Sequence, residues 1–152
     1  MKEEYVTYEQ SQALKRLGFA EKVYHAYLKK ISIEPELSVG DLKEMYSKDP
    51  KNYNDNRKGA GKGLFFYSAP RLDQAAAWLR DKGIHVSANP YCKVYNHNIC
   101  DAEDCAWSSE LYSVPFGRWL NVSKGEFDTY ELALSAGIDA ALELLTNKLY
   151  DK

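Results

Sequence analysis

Apolar residues recur at steps of three and four in three places along this chain, and each place carries helix punctuation at its ends. Over residues 8–17 the apolar positions are Ala13, Leu14 and Leu17. Thr7 stands before them as an N-cap, and Gln10 three residues on completes a capping box. Gly18 fits the C′ position, where Phe19 can fold back on Leu14 in a Schellman ending. Over residues 70–82, Leu72, Ala75, Ala76 and Leu79 form a second stripe, with Pro70 at the first helical position and Gly83 at the end. The third stripe is the longest. Leu134, Ile138, Ala141 or Leu142, Leu145 and Leu149 line one side of a helix of about twenty residues. Asp128 is its expected N-cap, Glu131 can reach back to it, and Phe127 and Leu132 have the spacing of a hydrophobic staple. Gly137 inside the stripe costs about 1 kcal/mol relative to alanine, and its presence there points to close approach of a neighbouring backbone. Such a stripe serves as core or as a subunit contact.

Elsewhere the apolar pattern is shorter. In residues 22–33, Val23, Tyr27 and Ile31 suit a helix while Tyr24, Ala26 and Leu28 suit a strand. The density of β-branched and aromatic residues favours the strand. Residues 39–46 suggest a turn of helix. Residues 47–63, SKDPKNYNDNRKGAGKG, are nearly devoid of apolar side chains and rich in turn formers, which predicts an exposed mobile loop. Strands are expected at 64–67, at 84–87 and around Tyr91 to Tyr95, and a hairpin at 109–114 and 118–123 turning at Pro115-Phe116-Gly117. Together these predict one α+β domain over residues 1–152. About three helices would pack on one face of a mainly antiparallel sheet of four to five short strands.

Composition narrows the class. An apolar fraction of 45% and a charged fraction of 28% are ordinary for a globular protein. A net charge of −2 supplies no global field for nucleic acid. The opening MKEEYVTYEQ has acids where a secretory leader needs a basic and then an apolar stretch, and no window of eighteen apolar residues exists. The expectation is a cytoplasmic chain with no membrane contact. Twelve tyrosines are the one excess, suited to half-buried sheets or to a contact surface.

Three stretches carry a resemblance. They are Tyr5-Val6-Thr7-Tyr8-Glu9 with Ala13-Leu14-Lys15 and Gly18-Phe19; Ser68-Ala69-Pro70 with Ala75, Trp78 to Lys82 and Ile84-His85-Val86; and Phe127 to Ala133 continuing to the end. In order and spacing they resemble a group of small uncharacterised proteins common in phages and mobile elements of gut bacteria. The resemblance covers about half the chain. It implies a compact α+β fold and an accessory role in a phage or integrated element, and it brings no catalytic residues. The polar 47–63 stretch and the Cys/His cluster at 92–105 depart from it.

That cluster is the sharpest candidate for chemistry. Cys92, His97, Cys100 and Cys105 stand in the pattern C-x4-H-x2-C-x4-C, and all three cysteines of the chain are in it. Four soft N/S donors in fourteen residues can close a tetrahedral zinc site. The spacing lacks the two-residue cysteine pair of zinc ribbons, so free thiols, or a disulfide or redox pair, stand beside zinc as readings. Asp101, Glu103 and Asp104 add charge without the alternating ligands of a calcium loop.

The remaining candidates are weaker. Gly59-Ala60-Gly61-Lys62-Gly63 lacks the first glycine and the hydroxyl of a phosphate loop. Lys48, Lys51, Arg57, Lys58 and Lys62 against Asp49 and Asp55 give 47–63 a charge of +3, which with Tyr53 would suit an arm touching phosphates. His25 and His85 read as half-buried packing residues, Ser68 as a helix-start residue, and Trp78, Trp107 and Trp119 as core or interface anchors. No catalytic motif appears. The expected function is therefore non-enzymatic: binding of a protein partner, or self-association as a homo-oligomer, with the final helix as the leading surface. A zinc-stabilised module contacting nucleic acid through 92–105 and 47–63 is the alternative.

Overall fold

In the computed structural model, Thr7 and Gln10 close a reciprocal capping box at the start of α1 (Tyr8–Arg16). The Gln10 N–H donates to Thr7 Oγ1 at 3.2 Å, and the Thr7 N–H donates to Gln10 Oε1 at 2.8 Å. The helix ends as its residues predict. Gly18 takes a φ of +93°, Phe19 N–H donates to Leu14 O at 2.9 Å and Gly18 N–H to Lys15 O at 3.1 Å. Both bonds of a Schellman motif are thus present. The structure describes residues 4–30, 41–55, 64–92, 105–115 and 117–150. They fall into two compact units, Tyr5–Pro70 and Arg71–Lys152 with Met1–Glu4.

In Tyr5–Pro70, α1 is followed by β1 (Val23–Lys30), β2 (Asp41–Lys51) and β3 (Leu64–Ser68), in an antiparallel sheet of order β2-β1-β3. The central strand supplies the sheet's buried apolar residues. Val23, Ala26 and Tyr27 of β1 are buried with Val6, Leu14 and Phe19. Tyr27 donates its hydroxyl to Val6 O at 2.8 Å, so its ring is buried with its polar tip satisfied. Of the 47–63 stretch, residues 47–51 complete β2. Asn54 is tied down by donating to Phe19 O and accepting from Ser68 N–H, both at 2.9 Å. Residues 56–63 lie outside the described residues.

The second unit runs α2 (Leu72–Asp81), β4 (Ile84–Cys92), β5 (Cys105–Ser113), β6 (Arg118–Phe127) and α3 (Tyr130–Tyr150). Its strands form an antiparallel meander, β4-β5-β6. Both helices pack on the face that carries Ile84, Val86, Ser109, Leu111 and Ser113. Ala133, Leu134, Ile138, Ala141 and Leu142 of α3 are buried there, as are Leu72, Ala75, Trp78 and Leu79 of α2.

The α+β class and the three helices therefore stand, but the sheet differs from expectation. Two sheets of three strands replace one of four to five. Two stretches also differ in their elements. Residues 39–46 were expected as helix, yet Asp41–Lys51 is an edge strand whose exposed charges hide any alternation. The stretches at 84–87 and 91–95 belong to one strand as far as Cys92. The caps of the later helices also shift. Thr129, one residue after Asp128, accepts from Leu132 N–H at 3.1 Å and caps α3. Pro70 precedes the N-cap residue Arg71 and is not the first helical residue of α2.

Candidate functional site

The face of β4-β5-β6 turned away from the helices carries three aromatic side chains in one row. Strand alternation sends every second residue there, and the register sets His85 opposite Tyr112 and Tyr112 opposite Trp119. The Tyr112 and Trp119 rings lie 5.0 Å apart between centroids, and His85 and Tyr112 lie 6.3 Å apart. These are favourable tilted and edge arrangements. Trp119 is 63% exposed, and His85 is exposed as well. Val114, at the adjoining turn, adds another exposed apolar side chain. Further along the face the character changes to polar. Asn89 donates to Ser87 Oγ and to Glu110 Oε2, each at 3.3 Å.

An exposed tryptophan held by neighbours has a clear energetic meaning. Hiding the free part of the ring removes roughly 150 Å² from water, which at ~25 cal/mol/Å² is about 3–4 kcal/mol as an upper figure. The row was not read from the sequence, although its signal was present. A hairpin that turns at 114–117 and pairs Ser113 with Arg118 must pair Tyr112 with Trp119.

His25 sits in a different setting, inside Tyr5–Pro70. It is 1% exposed, and neither ring nitrogen has a hydrogen-bond partner. Tyr46 stacks on it at 4.4 Å with planes 11° apart, and Tyr5 and Tyr27 meet it at 4.6 and 5.2 Å. Burial pushes the imidazole below its ordinary value, and the nearby Glu44 carboxylate offsets part of that. Burial, then Glu44, raises Tyr27 to about 12. Among the described residues no acid or base is in hydrogen-bond reach, and with almost no solvent access His25 has the surroundings of a packing residue. It is more deeply buried than the sequence suggested, whereas His85 is exposed.

The four zinc-candidate residues are described only in part. Cys92 and Cys105 are register partners at the end of the β4–β5 ladder; His97 and Cys100 lie outside the described residues. Among the described residues, no three His, Cys, Asp or Glu side chains gather as a metal site. A depression of about 220 Å³ lies at the first turns of α2 and α3. Arg71 borders it, 3.7 Å from Glu4 and 3.4 Å from Asp73, in exposed ion pairs that contribute little. Among the described residues no helix is long and apolar enough to cross a membrane. No family model, no curated protein and no solved structure matches this chain.

Proposed function

We propose that this chain is an accessory protein that works by self-association, and that the Trp119–Tyr112–His85 row is the contact surface. The observation that carries the reading is the exposure of Trp119, 63%, on a sheet face that, among the described residues, no helix of its own unit covers. Tryptophan and tyrosine are the residue types that anchor protein interfaces. A row of rings is also self-complementary: a two-fold axis through it would lay each row on its copy. The row is preferred to the final helix, the surface favoured from its pattern, because Leu134, Ile138, Ala141 and Leu142 of that helix's stripe are buried. The accessory role in a phage or integrated element belongs to the same proposal and rests on the resemblance alone.

The size of the face sets the strength. Nine residues of β5 at ~3.3 Å each, across three strands ~4.8 Å apart, give roughly 400 Å². This is about half of what each partner contributes to a standard interface, so the dimer should be weak, with a Kd in the micromolar range or above. Sedimentation velocity over a concentration series tests it. The wild-type chain should move from monomer toward dimer, and Trp119→Ser should remain monomeric. A Leu132→Ser control on the exposed side of α3 should behave as wild type. Wild-type dimers that survive Trp119→Ser would refute the surface.

One observation favours the zinc-stabilised nucleic-acid reading: two of its four ligand candidates, Cys92 and Cys105, are register partners. Charge opposes it. Residues 71–152 hold eight Lys or Arg against twelve Asp or Glu, a formal charge of −4, which repels a phosphate backbone. Stoichiometric zinc in a native mass spectrum, with salt-dependent binding to DNA or RNA, would reverse that preference.

A further inference from the structure

We infer that Tyr46 is an acid-released lid over His25, and that a proton on the imidazole frees this end of β2 from β1. Tyr46 stacks on the imidazole at 4.4 Å with planes 11° apart. It is itself 65% exposed, while the histidine it covers is 1% exposed. Tyr46 thus lies between His25 and solvent. Tyr5 and Tyr27 close the other sides of the box. Among the described residues neither ring nitrogen has a hydrogen-bond partner. A protonated ring inside the box would therefore hold two charged N–H groups with no acceptor.

Two effects oppose each other when the proton arrives. The faces of the surrounding phenols attract a cation. Stripping water from a charged group that finds no acceptor costs more, in keeping with the lowering of the imidazole by burial. The groups that face His25 are Tyr5 before α1, Tyr27 of β1, and Glu44 and Tyr46 of β2. The Tyr27 phenol is pushed up to about 12 and that of Tyr46 is also raised, by burial first and Glu44 second, so both stay neutral where histidine titrates. Glu44 is exposed and favours the protonated ring. An imidazolium gains both water and this carboxylate once Tyr46 moves aside.

The backbone is suited to parting at this point. β2 is an edge strand, and its register with β1 is unbroken from Lys30–Asp41 to His25–Tyr46. The next pair is Val23–Lys51, so residues 47–50 face the single residue Tyr24. Ser47 donates its Oγ to Asp49 O at 2.7 Å, closing that bulge on itself. Tyr46 is therefore the last residue of a continuous ladder, with regular pairing on one side only. Its release uncovers the edge of β1, where a new strand could pair. The closed lid holds a neutral histidine and the open one an ordinary histidine. Opening is thus suppressed above about pH 6.5 and grows as the pH falls below it. One linked proton makes it up to about tenfold more frequent at pH 5.5 than at pH 7.5.

The test is native-state amide hydrogen exchange of the full chain, resolved by nuclear magnetic resonance and corrected for the pH dependence of the chemical exchange step. Amides of residues 42–46 that pair with β1 should exchange up to about tenfold more readily at pH 5.5. They should do so by a route less protected than that of α1 and nearly insensitive to low urea, as a local opening is. In His25→Phe, which keeps a ring but takes no proton, the pH effect on these amides should vanish. Equal β2 protection at both pH values would overturn the proposal. So would β2 amides that share the protection and urea dependence of α1, because the strand would then part only when the whole sheet unfolds. A pH effect that persists in His25→Phe would assign the proton elsewhere. The wild-type comparison of β2 with α1 decides the matter even if the variant fails to fold.

Discussion

Gly137 of α3 lies so close to Ser109 of β5 that a β-carbon on the glycine would come 2.5 Å from the serine Oγ, and equally close to Val86 Cγ1. The glycine, unfavourable in a helix, is what lets α3 settle onto the sheet. Two effects oppose each other in Gly137→Ala. Better helix propensity gains about 1 kcal/mol, and overpacking costs about 1–3 kcal/mol. Overpacking should win, because Val86 is stiff at χ1 and its methyl cannot turn away freely. The expected result is a lower midpoint of urea unfolding with an unchanged slope.

Ser109 should respond in the opposite direction. Its Oγ is buried without a hydrogen-bond partner, so the hydroxyl lost its water on folding and gained nothing in exchange. Ser109→Ala is expected to be neutral or to raise stability by about 1 kcal/mol. It should also soften the effect of Gly137→Ala, because it removes one of the two clashing atoms. A double-mutant cycle measures that coupling, and strict additivity would contradict it.

His25 should make Tyr5–Pro70 sensitive to acid. Its imidazole is held below its ordinary value mainly by burial, so the unfolded chain binds the proton more readily. Stability is then full above about pH 6.5 and falls as the pH drops toward the lowered folded value, by up to about 1.4 kcal/mol per unit. Urea midpoints at pH 7.5 and 5.5 should differ more for wild type than for His25→Phe. Phenylalanine keeps a ring between Tyr5 and Tyr46 but cannot take a proton.

Gly18 isolates a purely conformational effect. A β-carbon there would meet no atom within 4 Å, yet its φ is +93°. Gly18→Ala should cost about 1 kcal/mol through the left-handed backbone alone. Thermal unfolding of the variant measures the loss, and an unchanged midpoint would contradict it.

Local chemistry made much of this fold legible in advance. The Thr7–Gln10 box and the Gly18–Phe19 ending involve residues a few positions apart, so the sequence displays both partners together. The same holds for the hairpin around 114–117 and for Leu134, Ile138, Ala141 and Leu142, the buried part of the α3 stripe. What stayed hidden is what only a register creates. Nothing near His25 in the chain announces that Tyr46 will stack on it, because β2 joins β1 as an edge strand with charges on view. A helix stripe, likewise, looks the same whether it faces its own sheet or another molecule. The pattern of α3 therefore reads equally as core or contact, whereas the exposed row on the opposite face depends on strand register. Thr129 in place of Asp128 at the α3 cap is a shift of one position between two good capping residues.

The most direct measurement follows the three tryptophan side chains by nuclear magnetic resonance as the protein is concentrated. Trp78 is buried beneath Lys82, Trp107 meets Tyr130 edge-on at 5.4 Å, and Trp119 faces solvent. Self-association through the aromatic row predicts that the Trp119 indole N–H resonance shifts steadily with concentration while that of Trp78 stays fixed. A Trp119 resonance that does not move while the chain associates, or a chain that stays monomeric at millimolar concentration, would contradict the account.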